Sequence, residues 1–229
     1  MVGYLYPLPE ERRRGRLWGW GRPHVEPVFL HTLPLLGAGL PPGELSRQLD
    51  RGVKILRKKG CVRVLTAPGL DCTEFPEILR RNELAPIDPL PLCRAKAPQL
   101  ALTLVERLPL RRRCVALRGE NGRDAWPAAA ALCPQVGMLL LDFDRGEEEL
   151  ARRLRAVYGA AALDLCQGPP PQVSVEFAPR GEAAGTPLRL WGTPELAGCK
   201  LTGAGEEHLP LLELLWETGR LRLEDIVVQ

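Results

Sequence analysis

Between Cys114 and Leu163 the chain alternates in a way that few folds accommodate. Cys114-Val-Ala-Leu117 is a short apolar run of the kind buried in a parallel sheet. A glycine-containing turn follows, Gly119-Glu120-Asn121-Gly122, and then an alanine-rich segment from about Asp124 to Cys133 with Pro127 in its first turn, where a missing N–H breaks no helical bond. Met138-Leu-Leu-Leu-Asp142-Phe143 is a second apolar run. Glu147 to Val157 carries Leu150, Leu154 and Val157 at helical spacing, and Ala161 to Leu165 reads as a third strand. The order strand, helix, strand, helix, strand predicts parallel strands joined by crossover helices.

The turn Gly119-Glu120-Asn121-Gly122-Arg123-Asp124-Ala125 resembles the dinucleotide-binding turn of Rossmann-fold dehydrogenases. Asp142 closes the next strand about 20 residues on, where that family places an acid for the ribose. The resemblance covers about residues 114–164. It implies a site for NAD(P) lined by Arg118, Gly119, Gly122, Arg123 and Asp142. With Gly122 and Ala125 set on the family's second and third glycine positions, the first falls on Glu120. A carboxylate there repels a pyrophosphate and puts a side chain where bare backbone belongs. The resemblance is therefore to a degenerate form, which keeps the sheet and has lost the cofactor. Asp144 and Glu147 have the spacing of a capping box at the start of the following helix.

The fold class expected is α/β, a mostly parallel sheet with helices on both faces, with a Rossmann-like C-terminal half packed on a smaller α/β N-terminal half. In the N-terminal half, Tyr4 to Leu8 and Arg16 to Trp20 read as a strand or hairpin leading into a buried strand at Val28 to Leu33. Pro41-Pro42-Gly43 opens a helix from Glu44 to Lys59, with Leu45, Leu49, Val53 and Leu56 on one face and Arg47, Arg51, Lys54 and Lys58 on the other. A strand at Val62 to Thr66, a helix around Phe75 to Glu83 and a second helix from about Leu92 to Leu108 follow. The composition shift at Leu108 to Arg113 places the boundary between lobes 1–110 and 111–229. Beyond the central stretch, Val173 to Phe177 and Leu188 to Trp191 read as strands around a hairpin-like loop. A helix with Pro210 near its start, ending at Gly219, and a final strand at Ile226 to Val228 complete the chain.

Charge divides unevenly. Up to Arg113 there are 20 Lys and Arg against 11 Asp and Glu, which leaves 11 against 17 of the totals of 31 and 28 for the remainder. The basic part directs attention to Arg12, Arg13, Arg14, Arg16, Trp18 and Trp20, the mix of cations and aromatics that stacks on and neutralises single-stranded nucleic acid. A solvated strand is the simpler account of the same segment. The seven cysteines include no Cys-x-x-Cys pair and sit mostly in apolar context, as small buried hydrophobes do. No metal site is expected. His24 and His31 flank Glu26 at a spacing that matches no metal template, and His208 stands at a helix start. No Gly-x-Ser-x-Gly elbow or Walker loop is present, and no catalytic residue can be named. No apolar run reaches the ~20 residues of a membrane span, and Arg12 to Arg16 stand where a signal peptide would have its apolar core. The expected location is the cytoplasm, without a membrane partner. Three readings stay open: a packing or regulatory domain without a cofactor, with a protein partner or self-association; an NAD(P)- or phosphate-ligand-binding enzyme of the dehydrogenase type; and a nucleic-acid-binding module.

Overall fold

The first apolar run, Val2–Pro7, forms the inner strand β1 of a four-stranded sheet in the computed structural model. The structure describes residues 1–7, 30–35, 42–68, 70, 73–108, 113–182 and 184–229, with backbone alone at 7, 30–35 and 42. Strand β2 is Leu30–Leu35, β3 is Arg63–Thr66 and β4 is Ala85–Pro86. They lie in the order β2-β1-β3-β4 with every neighbouring pair parallel. β1 and β2 are themselves parallel: Val2 pairs with Leu30 and Pro7 with Leu35, both strands running the same way, while the expected arm at Arg16 to Trp20 lies outside the described residues. The helix expected after Pro41 is α1, Pro42–Lys58, and α2 is Phe75–Arg81. Leu49, Val53 and Leu56 of α1 bury the apolar stripe read from the sequence against Leu5, Val64, Ile78 and Leu79.

The chain divides into two units, Met1–Asp88 and Pro89–Gln229. The composition shift at Leu108 to Arg113 lies later in the chain than this division, and the single helix expected at Leu92 to Leu108 falls within the second unit. Two helices stand there, α3 (Leu90–Ala95) and α4 (Ala97–Arg107), parted at Lys96. Pro98 accounts for the break, since it has no N–H to donate and its ring collides with the carbonyl four residues back. Both helices belong to the second core: Leu92, Cys93, Leu100 and Leu104 pack with Val115, Leu117 and Val173.

The second unit is built on a five-stranded sheet of β5 (Cys114–Asn121), β6 (Met138–Arg145), β7 (Leu163–Asp164), β8 (Val173–Glu176) and β9 (Thr186–Arg189). Its order is β7-β6-β5-β8-β9, and all pairs are parallel. Counted from β5 this is 3-2-1-4-5, the order of a doubly wound sheet. The expected α/β class with parallel sheets is what the structure shows. Helices α5 (Trp126–Leu132) and α6 (Glu147–Tyr158) cross from β5 to β6 and from β6 to β7. Strand alternation sends Val115, Leu117, Leu139, Leu141 and Val175 into the core that holds these helices. Cys114, Ala116 and Leu140 face the other way, against Leu163 and Leu165.

Strands β8 and β9 are parallel too, not the hairpin arms expected, although only 177–185 joins them. That is shorter than the dozen or more residues usual for a parallel crossover. The segment has no room for a helix. A two-stranded antiparallel ribbon, β10 (Leu201–Thr202) with β11 (Val227–Val228), and helix α7 (Leu209–Glu217) complete the unit.

Candidate functional site

Open α/β sheets bind ligands outside the carboxyl ends of their strands, at the point where strand order reverses. In the second unit that point lies between β5 and β8. Register decides what stands there. Arg118 of β5 is the direct cross-strand partner of Asp142 on β6 and of Glu176 on β8, and Glu176 is in turn the partner of Arg189 on β9. One rung of the sheet thus reads acid, base, acid, base, all on one face.

Arg118 is 5% exposed, and its Nε and Nη1 are both hydrogen-bonded. Nε donates to Asp142 Oδ2 at 2.8 Å and Nη1 to Glu176 Oε1 at 3.1 Å. Nη1 also points at the carbonyl oxygens of Gly181 and Glu182, at 3.2 and 3.3 Å. These carbonyls belong to the 177–185 segment, which is folded back over the rung. Arg180 of the same segment bonds Asp142 Oδ1 at 2.9 Å and Asp144 Oδ1 at 2.5 Å. Ser174 Oγ donates to Ala184 O at 2.6 Å. Gly185 closes the segment at φ +78°, and a Cβ there would lie 2.3 Å from Pro171 O, so only glycine fits. At the outer end Arg189 pairs with Glu195 at 2.7 Å and lies 3.7 Å from Glu176 Oε2. The reversal point is filled by the chain's own charges and its own loop.

The glycine turn is closed as well. Gly119 lies inside β5, and a Cβ on it would meet Phe177 and Phe143 at 3.2 and 3.3 Å. Gly122 permits a close approach, but to backbone: a Cβ there would stand 2.7 Å from Gly146 O. The amides of the turn are committed internally. Gly122 N donates to Arg145 O, Arg123 N to Asn121 Oδ1, Asp124 N to Asn121 O, Ala125 N to Gly122 O and Trp126 N to Arg123 O, over 2.9 to 3.3 Å. An anion cradle needs such N–H groups free and converging. Glu120, expected to be the obstacle, is exposed at the end of β5, and the committed amides account for the closure without it. Arg118 and Asp142 meet each other, while Arg123 is exposed in the turn.

The expected capping box does not form. Helix α6 has Gly146, left-handed at φ +74°, as its N-cap residue, with no side-chain cap. Asp144 pairs with Arg180 instead, and Glu147 accepts from Phe143 N at 2.8 Å. Burial pushes the Glu147 carboxyl above its ordinary value, with Asp164 and Asp142 adding to the rise. Between β6, α6 and β7 opens a groove of about 660 Å³ lined by Asp142, Asp144, Glu147, Glu148, Asp164 and Arg152. Cys166 at its rim is exposed, and the charge of Asp164 raises its thiol pKa, the opposite of what a nucleophile needs. Cys61, Cys93, Cys114 and Cys199 are buried, as expected of structural cysteines, whereas Cys133 is half-buried. His208 takes the N-cap position of α7, where its carbonyl accepts from Leu211 N and Leu212 N.

Arg12, Arg13, Arg14, Arg16, Trp18, Trp20 and His24 lie outside the described residues. Among the described residues no group of His, Cys, Asp and Glu is placed to hold a metal ion. No helix among them is long and apolar enough to cross a membrane.

Neither a protein-family model nor a curated protein matches the chain. Among solved structures, the crystal structure of L-tryptophan dehydrogenase from Nostoc punctiforme is similar over 68% of this chain and 49% of its own, at 14% identity and a TM-score of 0.28. The chain spans about half the length of that protein. The parallel sheets are consistent with a Rossmann-like fold.

Proposed function

We propose that the second unit is a Rossmann-like scaffold with a packing or regulatory role, one that has given its ligand crevice over to a fixed internal salt-bridge row. The observation that supports this most is Arg118, buried at the strand-order reversal and bonded to Asp142, Glu176 and two loop carbonyls. A pyrophosphate entering there has to displace two carboxylates and the 177–185 segment, and it finds no free turn amide to compensate.

Titration calorimetry with NAD+ and NADP+ tests the reading against the dehydrogenase alternative. Neither the native chain nor Glu120→Gly is expected to bind, since removing that side chain frees no amide. Saturable binding by Glu120→Gly means that the carboxylate alone blocks a working site, and saturable binding by the native chain means that the site is intact. Either result overturns the proposal.

A further inference from the structure

Helix α1 carries Arg47, Arg51, Lys54 and Lys58 at intervals of four, three and four residues, which aligns them in one row along its axis. All four are exposed. Lys54 bonds Asp50 at 2.6 Å, and Arg57, beside the row, pairs with Glu83. Among the described residues Arg47, Arg51 and Lys58 have no ionic partner. From Arg47 to Lys58 the row extends about 16 Å at the helical rise of ~1.5 Å per residue. The helix as a whole holds five Lys and Arg against two acids. The end-of-helix dipole accounts for Arg57 and Lys58. It does not reach Arg47 and Arg51, which lie before the last turn of the helix.

We propose that this row is a docking surface for the phosphodiester backbone of a nucleic acid. The charge complementarity is specific in form. Guanidinium groups pair with phosphate through two parallel hydrogen bonds, and the row holds two of them in line with two lysines. An anionic membrane surface fits less well. Helices that bind one present an apolar face beside their cations, but the apolar stripe of α1, Leu49, Val53 and Leu56, is already buried in its own core. The contacts would be to backbone charge, so binding is non-specific in sequence and steeply dependent on salt. The proposal concerns the first unit and stands apart from the reading of the second.

The test is fluorescence anisotropy of the full chain with a labelled single-stranded 20-mer from 50 to 200 mM salt. The native chain is compared with Arg47→Gln/Arg51→Gln/Lys58→Gln and with a second variant in which Arg12, Arg13, Arg14 and Arg16 are changed to Gln. The native chain is expected to bind at 50 mM. The α1 triple variant is expected to bind more weakly, with a log–log salt slope shallower by about 2, from ~0.7 per neutralised phosphate of a single strand. Over that salt range this corresponds to roughly a twentyfold smaller loss of affinity. Equal melting temperatures confirm that the exposed substitutions leave the fold intact. No binding by the native chain at 50 mM, or an unchanged slope in the α1 variant while the arginine-segment variant loses binding, overturns the proposal. So does binding to anionic phosphatidylserine vesicles that is lost in the α1 variant while no oligonucleotide binds.

Discussion

Arg118 shows how one residue changes meaning between sequence and structure. Its position beside Gly119 and its distance from Asp142 make both look like cofactor contacts, and in the folded chain they are contacts to each other. Glu176 is 3% exposed, so removing Arg118 takes away its nearest cation and leaves a buried carboxylate with Arg189 alone, 3.7 Å away. Arg118→Gln is expected to lower unfolding free energy by about 3–5 kcal/mol, the range for breaking a buried pair from one side. Urea unfolding reads this, and replacing Arg118 and Glu176 together by Met should recover much of the loss. Gly122→Ala drives a methyl against the Gly146 carbonyl, which is backbone and cannot swing aside; a loss of about 1–3 kcal/mol is expected. Lys96, 4% exposed between α3 and α4, has its ammonium pKa lowered by burial. The unfolded chain then binds more protons than the folded one between the lowered value and the ordinary 10.5, so stability rises with pH across that window. Lys96→Met should therefore raise the melting temperature at pH 7, and the advantage should shrink toward pH 10. Glu176, Arg180 and Arg189 are not legible as a group in the sequence. Their meeting depends on strand register and on the path of 177–185, neither of which local pattern encodes.

At the level of elements, apolar periodicity is informative and connections are not. The strands at Cys114, Met138 and Val173 and helices α1, α5 and α6 stand within a few residues of where the pattern places them. The parallel pairing of β8 and β9 is hidden, because so short a connection between strands has the length of a hairpin loop. The start of α6 is hidden for a different reason. Asp144 and Glu147 have capping-box spacing, but Gly146 turns the chain left-handed and Arg180 claims the Asp144 carboxylate. Glu147 gives this region a pH signature. Its carboxyl keeps a proton in the folded state at pH values where the unfolded chain has lost it, so folding is favoured as pH falls toward the ordinary 4.5. Chemical unfolding from pH 7 to 5 should show the native chain gaining stability relative to Glu147→Gln, whose amide oxygen still accepts from Phe143 N. Equal slopes for the two proteins contradict the assignment.

For the molecule as a whole, the division at Asp88 redraws the charge map. The first 88 residues hold 14 Lys and Arg against 10 Asp and Glu, leaving 17 against 18 for the second unit. The strong basic-to-acidic contrast seen at Arg113 came from six cations that belong with α3, α4 and the approach to β5. Basic character in the first unit is local, and among the described residues it is ordered along α1. Both units use parallel sheets, but the second has turned its strand ends inward: a charged rung, a strapped loop and a turn whose amides bond one another. Amide hydrogen exchange at Gly122 to Trp126 measures that closure directly. Protected amides with rates unchanged by millimolar NADP+ are the predicted result, and unprotected amides that slow when the dinucleotide is added contradict it.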